Sequence, residues 1–265
     1  MLEPLGFISA ILIGISLGLM GSGGSILTVP VLVYLFNVEP VLATAYSLFI
    51  VGLTALAGSL KYMRANLLSY KTAIVFSIPA FIAVFVTRKY LIPTMPEIMI
   101  SFNGYNIHKG TFLLILFAVL MVMAAISMIR DKKKELEAKS IKFNYPFIFA
   151  EGIIVGTLAG LVGAGGGFLI IPALVLFARL PMKLAVGTSL LIIAVQSLIG
   201  FTGDIGRGEI IDWMFLLEIS AIAITGIFIG TFLSKKISGA KLKPSFGWFI
   251  LVMGIYIIVR ETFFK

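Results

Sequence analysis

Residues 18–25 read GLMGSGGS and residues 160–167 read GLVGAGGG, and each stretch interrupts a long apolar segment, residues 5–36 and 146–178. A straight helix of about 32 residues would be about 48 Å long, whereas the hydrocarbon core of a bilayer is about 30 Å thick. Glycine adopts backbone angles that other residues avoid. Each stretch therefore predicts a glycine turn between two shorter helices, which either re-enter on one side or cross once as a discontinuous helix.

The two glycine stretches belong to a longer internal repeat. Residues 18–58 align without a gap to residues 160–200, at an offset of 142, with 16 identities in 41 positions. A unit written twice predicts two structural copies. We assign residues 1–130 to the first copy, residues 131–142 to a charged linker, and residues 143–265 to the second copy.

The composition is that of a membrane protein. The chain is 60% hydrophobic and 12% charged, whereas soluble domains are about 25% charged. Residues 41–60, 111–129 and 184–202 contain no charged side chain, and each run is long enough to span a bilayer. The runs do not alternate as barrel strands do. The sequence therefore predicts an all-α polytopic protein of the cytoplasmic, or inner, membrane.

The basic residues indicate how the two copies are oriented. The chain has 21 Lys and Arg and a net charge of +9, and the basic residues lie between apolar runs, which favours cytoplasmic loops over a nucleic-acid site. If each broken segment re-enters, each copy crosses three times and 15 basic residues fall inside; if it crosses once, the best division is 12 against 9. Charge counting thus predicts inverted repeats with both termini outside, each a re-entrant helix pair plus three transmembrane helices, and a cytoplasmic linker.

The glycine turns are the first candidate binding residues. Irregular backbone at membrane depth occurs only where protein or a polar cavity surrounds it. A new helix is expected to start after each turn, near Ser25 and near Phe168, and its first N–H groups could bind an anion. The alternative is close helix packing, which we prefer for the four-residue spacings Ala10–Gly18 and Gly152–Gly160, so Gly156→Ala is expected to be mild. The candidate residues of the turns are Gly21, Ser22, Gly23, Gly24, Ser25, Gly163, Ala164, Gly165, Gly166 and Gly167.

Polar side chains on the second segment of each copy are the next candidates. Ser189 and Gln196 are seven residues apart and share a helix face, and Ser47 and Thr54 hold the equivalent places in the first copy. Such a stripe could hydrogen-bond an oxyanion; the alternative is hydrogen bonding between helices. The candidates from this group are Ser47, Thr188, Ser189 and Gln196.

The sequence also resembles a known family. The doubled glycine turn, the prolines Pro30 and Pro172, and the stretch 185–190 (AVGTSL) resemble the TauE/SafE sulfite exporter family, also called TSUP permeases. The resemblance implies transport of sulfite, sulfonates or related organosulfur anions across the cytoplasmic membrane. The first copy departs from the pattern, because residues 43–48 read ATAYSL, so the two half-sites are expected to be unequal.

Few ionisable residues lie inside the predicted spans. Glu218 lies six residues into the seventh segment and is either a proton-coupling residue or an acid that reaches back to the interface. We interpret Asp204, Arg207, Glu209 and Asp212 as a solvated loop. Residues 93–109 are also expected to form a soluble stretch.

These observations predict a secondary transporter of a small anion, with lipid and the anion as its partners, no cofactor, no nucleic acid and no metal site. Homo-oligomer formation is left open. A non-transporting membrane scaffold or assembly protein is the first alternative. An intramembrane enzyme is the least favoured, because the chain has no HExxH motif, no second intramembrane aspartate beside Asp204 and no Ser–His pair at the glycine turn. The chain also has no P-loop, so transport is expected to be driven by a gradient.

Overall fold

The computed structural model describes residues 3–102, 105–130, 145–163, 166–176, 180–205, 211–234 and 239–263. The predicted linker 131–142 and the candidates Ala164 and Gly165 lie outside these residues. The first copy contains α1 (Glu3–Met20), a 3-10 helix (Gly21–Leu27), α2 (Thr28–Tyr34), α3 (Pro40–Arg64), α4 (Tyr70–Val86), a π-helical turn (Thr87–Leu91), α5 (Ile92–Thr94), β1 (Ile98–Phe102), β2 (Tyr105–His108) and α6 (Lys109–Arg130). The second copy contains α7 (Tyr145–Val162), α8 (Gly167–Leu176), α9 (Met182–Thr202), α10 (Trp213–Ser234) and α11 (Gly239–Phe263).

The chain is a helical membrane protein, as predicted. Five helices of the described residues are long and apolar enough to cross a bilayer, and the first segment of each copy is broken at its glycines. The five spans are Pro40–Arg64, Tyr70–Thr94, Lys109–Ile126, Lys183–Thr202 and Trp213–Ser234.

The first broken segment folds back on itself. The rings of Phe7 and Phe36 lie 5.7 Å apart, although α1 continues from Phe7 to Met20 and so extends about 20 Å away from Phe7 before the turn. A single crossing would place Phe36 at the opposite end of the segment. In the first copy, the two ends of the broken segment therefore lie side by side.

Helices α3 and α9 form the centre of the molecule. Their spans are 67% and 72% buried, compared with 39% to 44% for the other three. They run antiparallel, because the start of α9 lies beside the end of α3, where a β-carbon at Gly187 would lie 3.0 Å from Tyr62, whereas Gly52 lies against Leu198 further along. The equivalent helices of the two copies are thus each other's main neighbours.

Small residues let the outer helices pack closely on their neighbours. Helix α1 packs on α10 and α7 packs on α4, and a β-carbon at Gly14 would collide with the carbonyl oxygen of Ala223. A β-carbon at Gly156 would likewise collide with the carbonyl oxygen of Ala80. The packing interpretation of these glycines agrees with the structure. The expectation that Gly156→Ala is mild is wrong, because backbone has to move to admit the methyl group.

The stretch 93–109 contains an antiparallel hairpin, β1–β2, that has no counterpart among the described residues of the second copy. At its base the ammonium of Lys109 lies 2.7 Å from a carboxylate oxygen of Glu97. This hydrogen bond and the adjacent positive charge lower the pKa of Glu97. The hairpin is held closed by an exposed ion pair.

Candidate functional site

Three glycines of the turns have backbone angles that strain other residues. The φ angles are +65° at Gly21, +73° at Gly163 and +63° at Gly166. A side chain at these positions costs about 1–2 kcal/mol in backbone strain alone. The glycine stretches are thus required by the conformation of the turns and not only by packing.

Each glycine turn rests on the second long helix of the other copy. A β-carbon at Gly21 would lie 3.0 Å from the Ser189 hydroxyl oxygen and 3.1 Å from the carbonyl oxygen of Val186. A β-carbon at Gly163 would collide with Thr44. Since Thr44 and Val186 are equivalent positions in the repeat, these contacts are reciprocal, as an approximate two-fold axis between the copies requires.

Helix α9 brings the two turns together. Ser189 faces the first turn, and a β-carbon at Gly166 in the second turn would lie 3.3 Å from the amide nitrogen of Gln196. The seven residues from Ser189 to Gln196 rise about 10 Å. In addition, α8 packs directly against the 3-10 helix of the first turn. One face of α9 therefore lies beside both glycine turns. Its contacts with the two turns are about 10 Å apart along the helix, which leaves room for a small molecule.

The two turns differ in their backbone. In the second copy α8 begins at Gly167, close to the predicted start, and the N–H groups of Leu169 and Ile170 both donate to the carbonyl oxygen of Gly166. In the first copy no new α-helix starts at Ser25. The 3-10 helix, which contains Ser22, Gly23 and Gly24, runs directly into α2, and the Thr28 N–H donates to the carbonyl oxygen of Ser25. The expected helix start near Ser25 is therefore wrong.

Several buried polar side chains have no hydrogen-bond partner among the described residues. The amide of Gln196 is fully buried, and neither its oxygen nor its nitrogen is paired. The same holds for the hydroxyl groups of Ser47, Thr28 and Ser197. An unpaired buried polar group costs about 1–3 kcal/mol. Gln196 and Ser47, both named from the sequence, are the strongest ligand candidates that the structure provides.

Other predicted polar residues are already engaged in the fold. The hydroxyl of Thr188 accepts a hydrogen bond of 2.9 Å from the Ser69 N–H, which ties the α3–α4 loop to the start of α9. The hydroxyl of Ser189 donates to the carbonyl oxygen of Val186, and that of Thr54 donates to the carbonyl oxygen of Ile50. Ser25 is fully buried next to the first turn. The stripe is therefore partly structural.

Glu218 lies on the outer surface of α10. Its side chain is exposed, as are those of the neighbouring Met214 and Leu217. In a membrane this surface faces lipid, whereas a coupling residue should face the polar interior. The position favours the alternative in which Glu218 reaches back to the interface.

Sequence reasoning missed a buried ion pair. Asp204 is predicted to lie in a solvated loop, yet it lies 3.5 Å from Arg88, and the side chains of Arg88 and Asp204 are 0% and 7% exposed. The solvated interpretation of Asp204 is wrong; Asp212 is exposed, and Arg207 and Glu209 lie outside the described residues. One feature of the sequence could have indicated the burial of Arg88. The apolar residues Tyr90–Ile92 follow it, so the helix is expected to continue beyond Arg88.

A cavity of about 240 Å³ opens beside Asp204. It lies between the start of α3, the end of α9 and the base of the hairpin. Its polar lining residues are Glu39, Tyr46, Lys109 and Asp204.

The sequence matches the family model described as Sulfite exporter TauE/SafE over residues 6–257. A probable membrane transporter protein of Xylella fastidiosa (strain 9a5c) is 32% identical over 256 residues, which cover 94% of this chain and 92% of the relative. The probable membrane transporter protein YunE of Bacillus subtilis (strain 168) is 25% identical over 281 residues, covering 97% of this chain and 99% of the relative. A probable membrane transporter protein of Methanocaldococcus jannaschii is 34% identical over 117 residues, which cover 42% of this chain and 43% of the relative.

Proposed function

The chain belongs to the sulfite exporter TauE/SafE family of multi-pass membrane transporters, and we propose that its cargo is a small oxyanion, sulfite or an organosulfonate, held between the two glycine turns. Because the family consists of membrane transporters, it excludes both the enzyme alternative and the scaffold alternative.

The observation that carries this proposal is the amide of Gln196. It is fully buried, both of its polar atoms lack a partner among the described residues, and it lies against Gly166 in the second turn. Buried amides in folded proteins almost always have hydrogen-bond partners. A tetrahedral or pyramidal oxyanion at this turn accepts a hydrogen bond from the amide nitrogen.

The start of α8 would add an electrostatic contribution. It lies at the second turn and carries the positive end of a helix dipole, which favours a negative charge. Ser47, the residue of α3 that is equivalent to Ser189, would contribute a hydroxyl, since it has no hydrogen-bond partner among the described residues. Because each copy supplies part of the site, loss of either turn should prevent binding.

We propose further that the two copies are inverted in the membrane. The antiparallel packing of the equivalent helices α3 and α9 and the side-by-side ends of the first broken segment support this arrangement. Accessibility of single cysteines tests it, since the chain has no native cysteine. A cysteine at Asn103 should be labelled from outside and a cysteine at Lys134 should not; equal labelling contradicts the inverted topology.

The cargo is tested by transport into proteoliposomes. Purified protein should exchange radiolabelled sulfite and methanesulfonate, whereas Gln196→Leu should lower the rate about tenfold or more at unchanged thermal stability. Thr54→Val is the matched control, because Thr54 is the equivalent residue of the first copy and its hydroxyl is already bonded to Ile50. If neither anion moves with the wild-type protein, the proposed cargo is wrong.

A further inference from the structure

Arg88 lies in an unusual part of helix α4. The helix changes to a π-helical turn at Thr87–Leu91 before it continues into α5, and such turns are frequent at functional sites. Arg88 is the largest fully buried side chain among the described residues. A guanidinium at this depth requires compensation of its charge.

Asp204 supplies that compensation from the end of α9. The ion pair measures 3.5 Å, and Gly203 allows the close approach, because a β-carbon there would lie 3.0 Å from the β-carbon of Arg88. Removing one partner of such a buried pair is strongly destabilising, because the other charge is left buried without compensation. The pair is therefore strongly interdependent.

The pair lies next to the second glycine turn. The residue before Arg88, Thr87, packs on Gly160, where a β-carbon would lie 2.8 Å from the β-carbon of Thr87. Gly160 is three residues before Gly163, at which the turn starts. Arg88 therefore lies beside the last turn of α7, which leads into the second glycine turn.

Asp204 has a second neighbour, the cavity of about 240 Å³, which Arg88 does not line. Each of the other titratable groups of this region has its own contact. Glu39 accepts from the Leu42 N–H, Lys109 pairs with Glu97, and the hydroxyl of Tyr46 accepts from the Asp212 N–H. The carboxylate of Asp212 accepts from the Phe215 N–H, and Lys89 is exposed. Asp204 alone among these connects the cavity to the buried arginine.

We propose that Asp204 is the proton-coupling residue of this transporter, and that Arg88, released when Asp204 is protonated, becomes the cationic contact of the anion at the second glycine turn. This inference rests on the proposed function. A proton enters through the cavity and adds to a carboxylate oxygen of Asp204, the ion pair opens, and the anion pairs with Arg88 in place of the carboxylate. One proton and one monoanion then move together, so no net charge crosses the membrane.

The described residues at the opposite end of the molecule contain no equivalent buried ion pair. There the corresponding contact joins the end of α3 to α10, and the ammonium of Lys61 donates a hydrogen bond of 2.7 Å to the Thr231 hydroxyl. No acidic side chain of the described residues forms an ion pair with Lys61. Among the described residues, a buried ion pair is therefore found at the Arg88–Asp204 end and not beside Lys61.

The test uses labelled methanesulfonate, whose charge is constant across the pH range, in proteoliposomes with a clamped membrane potential. Coupling to one proton permits about tenfold accumulation per unit of pH gradient, since one pH unit is 1.36 kcal/mol. Wild-type protein should approach this ratio. Asp204→Asn should still exchange the anion but lose the response to the gradient, Arg88→Gln should lose exchange about a hundredfold, and Glu218→Gln should behave as wild type.

A second measurement covers variants that fold poorly. Added methanesulfonate should raise the melting temperature of wild-type protein in detergent more strongly as the pH is lowered, whereas Asp204→Asn should show the same rise at every pH. The combined variant R88Q and D204N removes both charges, should fold, and should show no rise. A gradient response in Asp204→Asn, or wild-type exchange by folded Arg88→Gln, overturns the inference, as does wild-type transport that ignores the gradient. Only absence of all anion movement argues instead against the proposed function.

Discussion

The two glycine turns have the same sequence spacing but different surroundings. A β-carbon at Gly163 would collide with the side chain and the backbone of Thr44, whereas one at Gly21 would meet only Ser189 and Val186 at about 3 Å. The second turn also has an unpaired amide, Gln196, where the first has Thr54, which is bonded within its own helix. Both turns thus keep a positive φ at the equivalent glycines Gly21 and Gly163, whereas the unpaired amide belongs to the second copy.

The largest difference should appear when each turn receives a methyl group. Gly163→Ala combines positive φ with a backbone collision and should lower the free energy of unfolding by about 3 kcal/mol or more. Gly21→Ala has the strain without the collision and should lower it by about 1–2 kcal/mol. Denaturation in detergent measures both variants. Equal losses would show that the two turns are packed alike.

The chemical difference should appear in transport. Gln196→Leu should slow exchange of labelled sulfite about tenfold or more, because a hydrogen bond to a charged group contributes about 1.5–3 kcal/mol. Thr54→Val should change the rate less than twofold, since the Ile50 carbonyl already accepts from that hydroxyl. A comparable loss in both variants would mean that the half-sites contribute equally.

The outer helix pairs should respond alike, in contrast to the turns. Gly14→Ala and Gly156→Ala each place a methyl group against a carbonyl oxygen of the neighbouring helix. Each should lower stability by about 1–3 kcal/mol, the usual cost of overpacking. Thermal unfolding in detergent compares the two variants, and a neutral result for either shows that its helix pair separates without cost.

The smallest effect is expected at Glu218. Its carboxylate lies on the exposed surface of α10, far from the unequal turns. Glu218→Gln should therefore transport like wild type between pH 5 and 8, about the range in which a coupling proton would act. If this variant is folded in the membrane and no longer accumulates the anion, Glu218 and not Asp204 is the proton-coupling residue.

Much of the architecture could be predicted from the sequence. Long uncharged runs identify the spans, the internal repeat identifies the two copies, and the family prediction is confirmed by the match over residues 6–257. The glycines predict breaks in the first segments because few other residues adopt those angles. These features depend on local composition and on spacing, which a single sequence contains.

The ion pair could not be predicted in the same way. Arg88 and Asp204 are separated by more than a hundred residues, and each lies where charge usually marks the end of a span. Only the packing of α4 against α9 places them together. The predicted helix start near Ser25 is wrong for a related reason. A 3-10 helix and an α-helix differ by one residue in the spacing of their backbone hydrogen bonds, and the side chains of Gly21–Leu27 do not determine which of the two forms.

The reciprocal contacts of the turns also bear on how such a chain could arise. Gly21 is covered by a helix of the second copy, and Gly163 by a helix of the first. A half-length protein that held one repeat would expose its glycine turn until a second molecule supplied the covering helix. The ancestor before gene duplication would therefore have been an obligate dimer. After fusion of the two genes, each half could diverge. Gln196 and Arg88 could then each take on a role in one copy that the other copy lacks.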